Sequence, residues 1–349
     1  MKKNVLDRTE YTSNLINDLR TLIASTRDEI ARSVNSALVL LYWKVGKRIR
    51  QDILKEKRAE YGEEILPTLS AKLVTEFGNG FSSRNLARMV RFAEIFSDLK
   101  IVSTLSTQLS WSHLVEIIPL KDDLQRDFYT EMCRIERWSV RTLRSKIGSI
   151  LFERTALSRK PAKLIKQELE VLREEDKVTP DLIFRDPYLL DFLGLKNTYS
   201  EKDLETAILR EMESFILELG AGFSFVARQK RMTIGDDDFY LDLLFYHRKL
   251  RRLVAIELKL DKFKPEYKGR MELYLRWLEK YEQHSDEGSP IGLILCAGGS
   301  EEQIKLLELD KGGIRVAAYL TELPPQDILR KKLHETMILA RKQLECKEF

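Results

Sequence analysis

Residues 239–260 read FYLDLLFYHRKLRRLVAIELKL, and they constrain the fold more than any other part of the chain. Two short apolar runs, rich in aromatic or β-branched residues, flank a mostly basic segment, His247-Arg248-Lys249-Leu250. That pattern predicts a β-hairpin. The first strand carries one acid, Asp242. The second carries an acid and a lysine two positions apart, Glu257 and Lys259, with Leu258 between them. Side chains alternate faces along a strand, so Glu257 and Lys259 point the same way, and Asp242 shares a face with Tyr240, Leu244 and Tyr246. A register that sets Asp242 beside Glu257 gathers two carboxylates and an ammonium at one spot. In an apolar sheet this is costly unless the carboxylates hold a cation or pair with the lysine. A metal-dependent phosphodiesterase needs these groups: hard oxygen ligands for Mg²⁺ or Mn²⁺, and a cation near the attacking water or the scissile phosphate.

The pattern around the hairpin reads α-β-β-β-α-β. Leu204, Ile208, Met212, Phe215 and Leu219 mark an amphipathic helix that stops at Gly220. A strand is predicted at 223–234, with a turn at Gly235-Asp236-Asp237 before the hairpin. A helix follows at 266–283, buried-type strands at 291–296 and 314–319, and helices at 301–309 and 327–343.

The N-terminal half reads as helix throughout. Ile30, Val34, Ala37, Leu41, Val45 and Ile49 recur at steps of three and four, the stripe of a core-forming or dimer-forming helix. Residues 61–96 read as helix, a Gly78-Asn79-Gly80 turn, and a second helix capped by Ser82, with Phe81 packing on Leu86. Leu86, Val90 and Ala93 form an apolar line on it, and Arg84, Arg88 and Arg91 a basic one. A helix-turn-helix presents such a basic face to DNA, although a solvated helical face has the same composition. A second set, Arg134, Arg137, Arg141 and Arg144, would share a face if one helix ran through Ser139. It could contact phosphates or pair with local acids such as Glu131 and Glu136. His113 has no second ligand at a convincing spacing and reads as structural.

A length of 349 residues predicts two or three domains. The boundaries read as a helical region over 1–155, a charged, proline-punctuated connection over 156–200, and a catalytic domain over 201–349. The net charge is only +4, so a nucleic-acid surface must be local. Cys133, Cys296 and Cys346 have neither zinc spacing nor an even-numbered disulfide framework. The opening MKKNVLDRTEY lacks the apolar core of a signal peptide, and no apolar run approaches the ~18 residues of a membrane span. A cytoplasmic protein without a membrane partner is expected.

Several longer strings carry a resemblance: FILELGAGFSFVARQKR at 215–231, DDFYLDLLFYHR at 237–248, VAIELKLDKFKPEYKGRMELYL at 254–275, IGLILC at 291–296 and DPYLLDFLGL at 186–195. Through them the chain resembles the YhcG-type branch of the PD-(D/E)xK nuclease superfamily, and the likeness extends more diffusely to its start. The resemblance implies a restriction-endonuclease-like αβββαβ domain behind the helical region, an α+β or α/β chain overall. It implies a Mg²⁺- or Mn²⁺-dependent endonuclease acting on DNA. Asp242 would be the central ligand, Glu257 the second carboxylate, the Leu258 carbonyl a third oxygen, and Lys259 the group that orients water or offsets charge. It points to Glu205 as a further carboxylate, with Glu211 as rival, and Gln229 and Tyr240 could hydrogen-bond the substrate phosphate. The family usually has Gln where this chain has Arg270, which could bind phosphate instead. Arg84, Arg88, Arg91, Arg228, Lys230 and Arg270 are the expected nucleic-acid contacts, and a homo-oligomer, a dimer first, is the expected assembly. The alternatives are a non-cleaving DNA-binding or interaction protein on this fold, and an RNA-processing nuclease.

Overall fold

The computed structural model describes residues 3–56, 59–195, 199–322 and 324–345. Cys346 lies outside the described residues. The chain divides into two compact units, one ending at Ser145 and one beginning at Lys146. The division falls ahead of the expected position 155, and 156–200 belongs with the second unit.

The first unit is helical: α1 (Lys3–Glu56), α2 (Ala59–Phe77), α3 (Ser83–Ile95), α4 (Leu99–Gln108), α5 (Trp111–Ile117), α6 (Asp123–Glu136) and most of α7 (Val140–Gly148). Helix α1 buries Val39, Tyr42, Trp43 and Ile49, one face at helical spacing. The predicted stripe is only partly used. Ile30, Val34 and Leu41 stay 58%, 61% and 44% exposed, because the buried face begins at Val39 and is rotated from that line. Where α1 crosses α3, a side chain at Gly46 would overlap the Met89 carbonyl, so glycine permits the close approach. Trp43 Nε1 donates to the Phe96 carbonyl at 2.7 Å.

The turn between α2 and α3 needs glycine at Gly78, whose φ is 87°. Ser82 occupies the N-cap position of α3, but its side chain makes no capping bond. Asn85 Nδ2 instead donates to the Gly80 carbonyl at 2.5 Å, while Phe81 and Leu86 share one apolar cluster as expected. The second arginine set does not share a face. Arg137 takes a left-handed conformation (φ 51°) and ends α6, and Ser139 accepts from the Thr142 N–H at 3.1 Å at the start of α7. Arg134 pairs with Glu131 at 2.9 Å and Arg144 with Glu116 at 2.7 Å. His113 sits between the Ser110 hydroxyl (2.8 Å) and the Trp138 carbonyl (2.9 Å), the structural position its isolation suggests.

The second unit continues with α8 (Leu151–Arg154), α9 (Ala162–Glu175), α10 (Pro180–Ile183), β1 (Tyr188–Leu189), α11 (Glu201–Arg210), α12 (Met212–Leu219), β2 (Phe223–Ile234), β3 (Asp237–His247), β4 (Arg252–Leu258), α13 (Glu266–Tyr281), β5 (Ile291–Cys296), α14 (Glu301–Leu306), β6 (Ile314–Leu320) and α15 (Gln326–Glu345). The sheet order is β1-β6-β5-β4-β3-β2. Strands β2, β3 and β4 are antiparallel; β4, β5, β6 and β1 run parallel. From α11 to β5 this is the predicted αβββαβ order, except that the first helix breaks at Glu211 (φ −103°, ψ 33°) into α11 and α12.

Both faces of the sheet are covered. Leu204, Ile208, Phe215 and Leu219 of α11 and α12 pack on Leu243, Phe245 and Ile256. Met271, Tyr274 and Leu278 of α13 pack on Leu244, Ala255 and Ile294. Every residue of β5 is buried, which is why it reads as a continuous apolar run. Strand β2 is an edge, and Phe225 and Val226 on it are exposed. Buried ions tie the segment before the sheet to α12. Glu218 accepts from Arg154 at 2.5 Å, Arg185 at 3.1 Å and the Leu189 N–H at 2.8 Å.

Candidate active site

The β3–β4 ladder ends at Leu243↔Ile256, which makes Asp242 and Glu257 the next opposed pair. Beyond that point β3 stays beside β2, and β4 stays beside β5 as far as Leu258↔Leu295. The sheet therefore forks at the two carboxylates. A fork leaves β4 amides without a partner on β3, and buried amides must be satisfied. Asp242 answers this need: its Oδ2 accepts from the Leu258 N–H at 2.8 Å.

Gln229 lies opposite Asp242, between the pairs Arg228↔Leu243 and Lys230↔Leu241. Its φ is 43°, a left-handed backbone in mid-strand. Such strain persists only where surrounding contacts enforce it. Here the Gln229 amide donates to Asp242 Oδ1 at 3.1 Å and to Glu205 Oε2 at 3.0 Å. Helix α11 is fixed by a capping box between Ser200 and Asp203 and by burial of Leu204, Ala207 and Ile208. That rotation brings Glu201 and Glu205, one turn apart, toward the fork. Glu211, the rival carboxylate, pairs with Arg210 instead.

Glu257 is 3% exposed and Lys259 8%. Lys259 Nζ lies 3.1 Å from Glu257 Oε1 and 3.6 Å from Glu201 Oε2. Arg270 Nε lies 3.6 Å from the same Oε1 and donates to the Tyr274 hydroxyl at 2.6 Å, which donates to the Tyr240 carbonyl. Both cations lie on Oε1, and among the described residues Oε2 has no hydrogen-bond partner. Burial, with the charge of Asp242 added, pushes the Glu257 carboxyl up to about 7. Burial also raises Asp242, against the pull of the Leu258 amide and Lys259. Burial works to lower Lys259, but Glu257, Glu201 and Asp242 outweigh it and hold the ammonium above its usual range.

The desolvated Oε2 of Glu257, unpartnered among the described residues and beside Asp242, fits a divalent cation, because binding one would satisfy it. Among the described residues no three acid, His or Cys side chains form a ligand set by themselves. Two carboxylates, a main-chain oxygen and water would make up the shell, as suits Mg²⁺.

The sequence-predicted site residues therefore separate. Asp242, Glu257, Lys259, Glu205, Gln229, Leu258 and Arg270 come together at the fork. Lys230 is drawn away, paired with Glu282 at 2.7 Å and lying over the Trp277 ring. Arg228 is exposed on β2. In the first unit Arg84 and Arg91 are exposed on α3 and Arg88 is half-buried; Arg91 pairs with Glu94 at 2.6 Å. Glu201 was missed, although its position four residues before Glu205 places both on one helix face.

Residues 181–334 match the YhcG PDDEXK nuclease domain, and residues 18–154 match the DUF1016 N-terminal domain. YhcG of Escherichia coli (strain K12), provisionally named a nuclease, is 34% identical over 347 residues, covering 90% of this chain and 92% of that protein. Among solved structures, a repair endonuclease from Pyrococcus abyssi aligns at 22% identity and a TM-score of 0.26, over 37% of this chain and 50% of that one. An EndoMS–dsDNA2 complex aligns at 19% and 0.27, over 37% and 49%. The chain spans about half the length of these two structures.

Proposed function

Because the chain belongs to the YhcG family, whose C-terminal domain is a PDDEXK nuclease domain, we propose that it is a divalent-metal-dependent endonuclease that hydrolyses DNA phosphodiester bonds. The observation that carries this reading is Glu257, a buried carboxylate set beside Asp242, with Lys259 against Oε1 and with Oε2 lacking a hydrogen bond among the described residues.

Asp242, Glu257 and the main-chain oxygen of Leu258 would hold the cation, Mg²⁺ or Mn²⁺. When bound, such an ion offsets phosphate charge and acidifies a water. The protein's own groups do the rest. Lys259 orients the attacking water or offsets charge on the phosphate oxygens. Gln229, held by Glu205, fixes the rotation of Asp242. Arg270 faces Glu257 from α13 and supplies a cation for a substrate phosphate. Arg228 on β2 and Arg84, Arg88 and Arg91 on α3 extend the DNA contacts, with α2, the turn and α3 acting as the helix-turn-helix. Two copies act together in the cytoplasm. The Arg270 pairing with Glu257 also favours a second reading, a DNA-binding protein whose site is held closed and does not cleave.

The test is a screen of supercoiled, linear, single-stranded and branched DNA, and of RNA, with Mg²⁺, Mn²⁺ or chelator. Metal-dependent nicking of DNA, lost in Asp242→Ala and Lys259→Ala, is the expected result. DNA binding without cleavage under any metal would favour the second reading, and cleavage of RNA alone would replace the substrate.

A further inference from the structure

Beyond the fork lies a feature that the phosphodiesterase groups do not use. A cavity of about 600 Å³ opens where β5 and β6 end. Its walls include Leu195, Tyr199, Leu260 and Tyr319, with Thr321 and Glu322 also lining it. The volume falls within the range of about 300–1,000 Å³ usual for sites that enclose small molecules.

The cavity is joined to the catalytic groups by short links. Leu260 follows Lys259 directly. The Tyr319 hydroxyl donates to the Lys259 carbonyl at 3.4 Å, and Tyr199 lines the same cavity. Tyr199 is two residues before Glu201, whose carboxylate is 3.6 Å from Lys259 Nζ. Two residues of chain reach no further than about 7 Å, so the cavity is a near neighbour of the lysine.

The lining selects the ligand class. The tyrosine rings suit a flat ring, which stacks on an aromatic face, and the polar share of the lining suits its edge. Thr321 and Glu322 add acceptor oxygens suited to ring N–H groups. The carboxylate of Glu322 suits a neutral ring edge better than a second phosphate. We infer that this cavity receives a nucleobase of the bound strand, turned out of its stack beside the phosphate held at Lys259. The inference rests on the nuclease reading above. It adds that the enzyme engages an unstacked nucleotide, either unpaired in its substrate or extruded from a duplex, and reads it by its edge.

The test uses full-length protein carrying Asp242→Asn and a set of duplexes, each with one 2-aminopurine, scanned through the bound region. The emission at one position should change on binding, and Tyr199→Ala or Glu322→Gln should alter that change. In otherwise wild-type protein, Tyr199→Ala should slow cleavage of paired DNA about tenfold, the loss of one stacked base. Tyr199→Phe, which keeps the ring, should stay near wild type. DNA carrying an unpaired nucleotide at the responsive position should suffer less from Tyr199→Ala than fully paired DNA if the base is extruded. Equal loss on both would mean that the base is held but not extruded by the enzyme. If the protein neither binds nor cuts DNA, the nuclease reading fails and this inference with it. If it binds or cuts DNA while no position changes its emission, or while folded Tyr199→Ala and Glu322→Gln proteins cut as wild type, the cavity inference alone is overturned.

Discussion

Asp242 serves the backbone and the proposed chemistry at once. One oxygen takes the Leu258 amide at the fork and the other takes Gln229. Replacing it with Asn keeps an acceptor for the amide and removes a negative charge that repels DNA. Asp242→Asn should lose cleavage, at least about a hundredfold as expected for a transition-state electrostatic group, while binding DNA as tightly as wild type or more so by filter binding or anisotropy. Parallel loss of binding and cleavage in a folded variant would point to a structural role. Glu257 is expected to show its cost in stability. Its carboxyl ionises near 4.5 when exposed but only at about 7 in the fold. A raised carboxyl leaves stability whole below 4.5 and takes it away as pH climbs to 7, by an amount on the order of 3 kcal/mol. Glu257→Gln should therefore melt higher than wild type at pH 8 without metal, and much as wild type at pH 4. Equal melting temperatures at both pH values would mean that Lys259 and Arg270 fully compensate the charge.

Among the elements, the hairpin of β3 and β4 was legible because alternation and residue type agree, and its acids fall where the ladder ends. The left-handed backbone of Gln229 was not, since nothing local requires it; the hydrogen bonds to Glu205 and Asp242 enforce it across the sheet. The arginine line from Arg134 to Arg144 failed because a helix ended at a non-glycine left-handed residue, Arg137. The line on α3 kept its helix, and its value as a DNA face can be measured. Changing Arg84, Arg88 and Arg91 together to Ala should weaken DNA binding and lower the slope of log affinity against log salt by roughly one per lost contact. An unchanged slope in a folded triple variant would assign the arginines to solvent or to protein, as the Arg91–Glu94 pair already does for one of them.

On the scale of the whole chain, periodicity separated a helical half from a mixed α/β half, and the compact units divide ten residues ahead of the expected 155. The segment 156–200 looked like a connection because its charges and prolines are local, whereas what incorporates it is distant. Strand β1 is only two residues long, and Glu218 on α12 holds Arg154 and Arg185 from far earlier in the sequence. Assembly belongs to this scale as well. Along α1 the exposed Ile16, Ile23 and Ile30 recur every seven residues, with Leu19 between them, the spacing of a coiled-coil seam. Full-length protein should scatter light as a dimer, and Ile23→Lys with Ile30→Lys should return it to a monomer that still melts cooperatively. A wild-type monomer at tens of micromolar would dismiss the seam. One further consequence follows from the open border of the sheet at β2. Its unpaired backbone and the bare Phe225 and Val226 make a template on which another chain could zip. Arg228, Lys230 and Arg231 stud the same strand, and charges there act as gatekeepers against aggregation. Arg228→Val with Arg231→Val should leave the fold intact yet make the protein precipitate on storage or gentle warming, seen as rising turbidity. The cations on this strand would then also be what keeps the molecule in solution, apart from any contact with a polyanion.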